Sequence, residues 1–265
     1  MAIEKGFALF RRGLLTFERR RPFDVDWDAL PVKGCGSFNE VRVVPSEQAA
    51  ALGVDPSTPL VIRRTLVPTS IDALVVEAYL TRRMAILKVA PTLYASWLER
   101  EGDGARLYLI MRGFERSLHD VLKERDLTAP EEAQLQRFLH VVADSGVLLL
   151  DLKPANVVHT GDQLALIDFG ARHTVKVSKL STESRELLHT ALLVSIAICT
   201  TGRVILRSRL MELANDPMVR FLDEKDAPVG ALWSRLQSQF SHYLRKRGCL
   251  AEGQSPWAYI MYHAT

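Results

Sequence analysis

Two carboxylates, an ammonium and an amide lie close together in Leu148-Leu-Leu-Asp151-Leu-Lys153-Pro-Ala-Asn156-Val-Val and the following Leu166-Ile-Asp168-Phe169-Gly170. Such a set suits the movement of a phosphoryl group. The transfer passes through a loose transition state with charge spread over equatorial oxygens, so catalysis is mainly positioning and electrostatic stabilisation. Mg²⁺ requires oxygen ligands, one or two carboxylates beside the nucleotide phosphates. Asp168 and Asn156 offer oxygens of that kind, and Lys153 brings positive charge within two residues of Asp151. The plain alternative is a hairpin whose Asp and Asn side chains only satisfy their own turns. Further motifs in a consistent order upstream weigh against it.

The two stretches resemble the catalytic loop and the metal-binding loop of eukaryotic-type protein kinases, read as D-x-x-x-x-N and D-F-G. The resemblance implies that Asp151 accepts the substrate hydroxyl proton, that Lys153 neutralises the moving phosphoryl group, and that Asn156 and Asp168 hold Mg²⁺. A lysine at this place is typical of the serine/threonine kinases. Two departures precede Asp151, where Leu149 and Leu150 stand in place of the family's His and Arg. Because that Arg ordinarily reads a phosphate on the activation segment, its absence speaks against that mode of activation.

Upstream, Gly34-Cys-Gly36-Ser-Phe38-Asn-Glu-Val41 is similar to a kinase glycine-rich loop. Glycines there let backbone N–H groups approach phosphates; Phe38 would cap the tip and Val41 would lie over adenine. Asn39 takes the third glycine's place, a residue that tolerates unusual backbone angles. Leu60 to Leu66 matches the strand that normally carries a phosphate-pairing lysine, but here offers Arg63 or, with a shift of one, Arg64. Arginine is a planar fork, so the exchange is not conservative. Glu77, in an apolar-periodic helix expected from about Ser70 to Val89, is the candidate partner, with Asp72 read as that helix's cap. Thr92 to Trp97 and Arg106 to Met111 read as a hairpin turning at Glu101-Gly-Asp-Gly104. In the resemblance Met111 guards the back of the nucleotide pocket, and residues 112 to 114 offer backbone groups to adenine.

Other elements must carry these groups. Leu135, Phe138, Leu139 and Val142 recur at helical spacing between Glu131 and Asp144, and the resemblance implies that Ser117 to Leu122 begin the helix after the hinge. Residues 186 to 202 look like a buried helix, in which Leu188 or His189 replaces the family's Asp and His189 reads as structural. Residues 203 to 265 look helical with a basic surface. No clear A-P-E motif follows Gly170, so the substrate platform is short or reshaped. At the start, residues 1 to 21 mix Phe7, Leu14 and Phe17 with five arginines and end at Pro22. They read as a leading helix with its apolar face packed on the domain, or as a nuclear-import or membrane-surface segment.

The 265 residues, 48% apolar and 25% charged, match an ordinary globular chain. A net charge of +3 gives no indication of nucleic acid. Three cysteines without metal-ligand spacing fit an intracellular setting, cytoplasmic or nuclear. Neither a secretory leader nor a membrane span is expected. The resemblance therefore implies an α+β, two-lobed kinase-like fold. Its parts are a basic extension (1–21), a small β-rich N-lobe (22–111) and a mainly helical C-lobe (112–265). The activity implied is ATP- and Mg²⁺-dependent phosphorylation of serine or threonine in protein substrates, with no metal other than Mg²⁺. In its compact build and its loss of regulatory motifs the chain resembles kinases of large DNA viruses. Two alternatives stay open, a pseudokinase serving as a nucleotide-binding or scaffolding module and a small-molecule phosphotransferase of the same fold.

Overall fold

A computed structural model describes residues 16–17, 22–24, 26–149, 151–160, 163–170 and 174–176, with Thr182, Arg185, His189, Leu192 and Ile196 beyond them. It is a mixed α/β protein. The strands are β1 (Thr16–Phe17), β2 (Val32–Cys35), β3 (Asn39–Val44), β4 (Leu60–Thr65), β5 (Leu93–Glu101), β6 (Gly104–Arg112), β7 (Arg116–Ser117), β8 (Val147–Leu149), β9 (Val157–Thr160), β10 (Gln163–Leu166) and β11 (Thr174–Lys176). The helices are α1 (Ile71–Ile86), α2 (Leu118–Glu124) and α3 (Ala129–Asp144). Contacts divide the chain into two compact units: Met1–Arg116 with Val158–Thr160 and Ala165–Thr174, and Ser117–Val157 with Gly161–Leu164 and Val175–Thr265.

In the first unit six strands form one sheet in the order β1-β5-β6-β4-β3-β2. All neighbours are antiparallel except β1, which runs parallel to β5. Thr16 and Phe17 are therefore strand, where the amphipathic pattern had suggested a leading helix. Pairing with the β5 edge supplies backbone partners that outweigh a weak local preference. Residues 1–15 and 18–21 of that segment lie outside the described part.

Strand alternation sorts side chains onto two faces. Val61, Arg63, Leu107, Leu109 and Met111 share one face, and α1 covers it with Leu74, Val75 and Ala78. Leu60, Ile62, Tyr108 and Ile110 share the other, buried under Trp27 and Leu30 of the preceding segment and Ala49 of the β3–β4 connection. That connection, polar and alanine-rich, coils into two short 3₁₀ turns, Ser46–Gln48 and Ala50–Leu52. Ser70 caps α1 by accepting from Ala73 N at 3.4 Å, while Asp72 sits within the first turn. The cap is thus the serine, and Asp72 faces the positive end of the helix dipole. Strands β5 and β6 join through a tight turn in which Gly102 takes a left-handed φ of 58°.

In the second unit α3 buries Leu135, Phe138, Leu139 and Val142, the stripe expected from the spacing. Its start is fastened by Glu131, which accepts from Thr128 N and Oγ1, each at 2.8 Å, and from both terminal nitrogens of Arg125. Gly146, with φ 69°, ends the helix and turns the chain into β8. His140 and His189 stack at 3.5 Å between ring centroids, a packing role for His189. Apart from His189, Leu192 and Ile196, the helix expected over 186–202 lies outside the described residues, as does the segment 203–265. Among the described residues no helix is long and apolar enough to cross a membrane.

Candidate functional site

The candidate residues fall into two sets, one in each unit. In the first unit Arg63 lies on the α1 face of β4 because period-2 alternation sends Arg64 to the other side. Arg63 Nη2 donates to Glu77 Oε1 and, at 2.8 Å, to Asn39 Oδ1. The two charged side chains are only 10% and 9% exposed. Arg64 instead donates to Glu40 at 3.2 Å and lies 4.0 Å from the centre of the Trp27 ring. The Arg63 nitrogens Nε and Nη1 make no hydrogen bond among the described residues, and neither is sealed from solvent. They remain available as donors.

Asp168 stands beside this pair. The end of β10 is tied down by Leu166 N donating to Val89 O at 2.8 Å, and Phe169 is buried. Asp168 has φ 66°, a left-handed conformation uncommon for a residue with a side chain. Its carboxylate makes no hydrogen bond or ion pair among the described residues. A Cβ built on Gly170 would lie 3.4 Å from Asp168 Oδ1 and 3.8 Å from Glu77 Oε2, so glycine lets the two carboxylates border one point.

The glycine-rich stretch forms β2, the tip and β3. Gly36 N donates to Asn39 O at 2.8 Å and Leu66 N to Phe38 O at 2.8 Å, which pins the tip while Phe38 stays 56% exposed. A Cβ on Gly34 would meet nothing within 4 Å, and one on Gly36 only Asn39 O at 3.7 Å. Packing among the described residues does not require these glycines. Val41 pairs with Gly34 and Arg63 in register, on the Arg63 face.

Farther along that face, Met111 is buried beside Val61 and Leu109. Arg112 N donates to Thr92 O at 2.9 Å and Gly113 N to Pro59 O at 2.8 Å. The next residue, Phe114, has neither its N–H nor its C=O engaged among the described residues. It offers the edge a flat heterocycle can pair with.

In the second unit a turn gathers Asp151, Lys153 and Asn156. Lys153 Nζ donates to both Asp151 oxygens, at 2.9 and 2.7 Å. Asn156 Nδ2 donates to Asp151 O at 2.8 Å and Oδ2 at 3.2 Å, which leaves its Oδ1 as an oxygen without a partner among the described residues. The 3₁₀ turn Pro154–Asn156, closed by Asn156 N on Lys153 O at 2.8 Å, sets this geometry. Leu150, the second departure before Asp151, lies outside the described residues.

Among the described residues no three His, Cys, Asp or Glu side chains gather to cage a metal. Asp168 in the first unit and Asn156 in the second each present an oxygen without a partner among the described residues, the donor type that a hard cation takes. Sequence reading missed Asn39 as a partner of Arg63. The signal was a hydrogen-bonding side chain in a place where glycine is usual. The chain matches no known protein family model, and no curated protein matches it either.

Proposed function

We propose that the protein is an ATP- and Mg²⁺-dependent phosphotransferase with the two-lobed architecture of eukaryotic-type protein kinases, acting on serine or threonine hydroxyls of protein substrates. The observation that carries this reading is the buried Arg63–Glu77 pair with Asp168 and Gly170 against it. The order β5-β6-β4-β3-β2, with α1 between β4 and β5, supports a kinase-like N-lobe. Arg63, held by Glu77, orients the nucleotide phosphates, and the open backbone at Gly34 and Gly36 lets them approach. Met111 and Val41 form apolar walls, and Phe114 supplies a donor and an acceptor to the base. Bound ATP would supply the phosphoryl group, and Asp168 and Asn156 are the residues that would hold Mg²⁺, which would supply charge neutralisation. Asp151 accepts the hydroxyl proton, with Lys153 and Asn156 fixing the orientation of its carboxylate.

The test is label transfer from ATP to a mixed protein set, with Mg²⁺, by the wild type and by Asp168→Ala. Transfer by the wild type alone is the expected result; transfer that survives the substitution refutes the role of Asp168. A second reading, a nucleotide-binding scaffold, is favoured by one observation: Arg63 Nη2 is already engaged by two protein groups. Nucleotide-dependent thermal stabilisation without transfer would select it.

A further inference from the structure

We propose that Asn39 is a positioning residue for Arg63, setting the plane of a guanidinium that grips the nucleotide. The inference rests on the nucleotide-binding reading above and deepens it. Asn39 opposes Thr65 across the β3–β4 ladder, so Arg63, two residues earlier on β4, is its diagonal neighbour on the same face. A long side chain reaches across such a diagonal. The Asn39 backbone is held by the Gly36 N–H, which donates to its carbonyl, and by the ladder, leaving its amide only a rotamer to choose.

A guanidinium differs from an ammonium in having a plane. Attached to Glu77 through Nη2 alone, it would keep its position but swing about that contact. The second acceptor, Asn39 Oδ1 at 2.8 Å, takes the other proton of the same nitrogen and stops the swing. Nε and Nη1 make no hydrogen bond among the described residues and are left to donate one bond each to a phosphate oxygen, since either two-pronged fork of a guanidinium would use Nη2, which both partners already occupy. A lysine at 63 would need no such guide. Its single nitrogen has no plane to be set. The arginine in β4 and the asparagine in the flap are therefore one device, and the loss of either partner alone should be felt differently from the loss of both.

The experiment is a double-mutant cycle on the full chain with Mg·ADP affinity and, with ATP, separate KM and kcat values. Asn39→Ala, which keeps a Cβ, and Asn39→Gly are each made in the Arg63 chain and in an Arg63→Lys chain. In the Arg63 chain both raise Kd and KM about tenfold, the weight of one charge-assisted hydrogen bond, with kcat less affected. In the Arg63→Lys chain the same changes move Kd less than about twofold. Equal losses in both backgrounds overturn the proposal by showing a general structural role for Asn39. Wild-type protein that binds no nucleotide sinks the functional reading as well. If Arg63→Lys binds too weakly to measure, NMR of the nucleotide-free chain decides. Rotation about the Arg63 Cζ–Nη2 bond is hindered in the wild type and released in Asn39→Ala; free rotation in the wild type overturns the proposal.

Discussion

Arg63 brings a full positive charge to a place where only a tenth of its side chain meets water, and Glu77 is its only ionic partner among the described residues. Removing the carboxylate strands that charge. Glu77→Ala is expected to cost about 3–5 kcal/mol, the usual result of breaking a buried pair from one side. Glu77→Gln keeps an oxygen for Nη2 and should cost less. Denaturant unfolding of both variants checks the ordering. Asp168 presents the opposite case. Its carboxylate has no protein partner among the described residues and its backbone is held at φ 66°. Asp168→Gly should therefore leave stability within about 1 kcal/mol of wild type, whereas Asp168→Ala adds left-handed strain of about 1 kcal/mol. Both should lose Mg²⁺-dependent nucleotide binding, so equal loss with unequal melting temperatures would separate function from folding.

The short helix α2 depends on its first turn. Ser117 Oγ donates to Asp120 Oδ2 at 2.6 Å and accepts from Asp120 N at 3.2 Å, while Lys123 donates to Asp120 Oδ1 at 3.0 Å. The Ser117 hydroxyl, then Lys123, hold the Asp120 carboxyl down at about 2. A carboxyl that is lower in the folded than in the unfolded chain stabilises in full above about pH 4, and that stabilisation fades as pH falls towards 2. Ser117→Ala should cost about 1 kcal/mol at neutral pH, mostly through the lost cap because the half-exposed ion pair is screened. The gap from wild type should narrow between pH 4 and 2 in stability curves. At this scale much was legible in the sequence, including Ser117 at the helix start, the α3 stripe and the turn through Gly102. The strand at Thr16–Phe17 was not, since its cause is the edge of a distant strand rather than its own residues. Asp72 was misread as a cap because Ser and Asp are both good caps, and only the hydrogen bond to Ser70 distinguishes them.

Across the first unit, the sheet separates two tasks by face. One face carries Arg63, Val41 and Met111 under α1; the other buries a polar-aromatic cluster that no motif revealed. Residues 22 to 30 have no period, so the sequence did not show that Trp27 covers a sheet. Nor could spacing choose between Arg63 and Arg64, since that choice depends on register with β3 and β6. Trp27 Nε1 donates to Glu40 Oε2 at 3.1 Å, and Arg42 Nη1 binds the carbonyls of Trp27 and Leu30 at 2.8 and 2.9 Å. Burial pushes the Glu40 carboxyl up, but hydrogen bonds from Arg42 and Trp27, with the charges of Arg42 and Arg64, outweigh it and hold it below its ordinary value. This cluster therefore stabilises above the ordinary carboxylate pKa and weakens as pH falls below it. Trp27→Ala would open a cavity against Tyr108 and Ile62 and cost about 3–5 kcal/mol. Because Arg63 lies on the opposite face, the nucleotide KM of the variant, measured well below its melting temperature, should stay within about twofold of wild type, an assay-scale margin well under the tenfold that 1.4 kcal/mol represents. A KM that rises in step with the lost stability would mean that the outer cluster supports the nucleotide site as well as the fold.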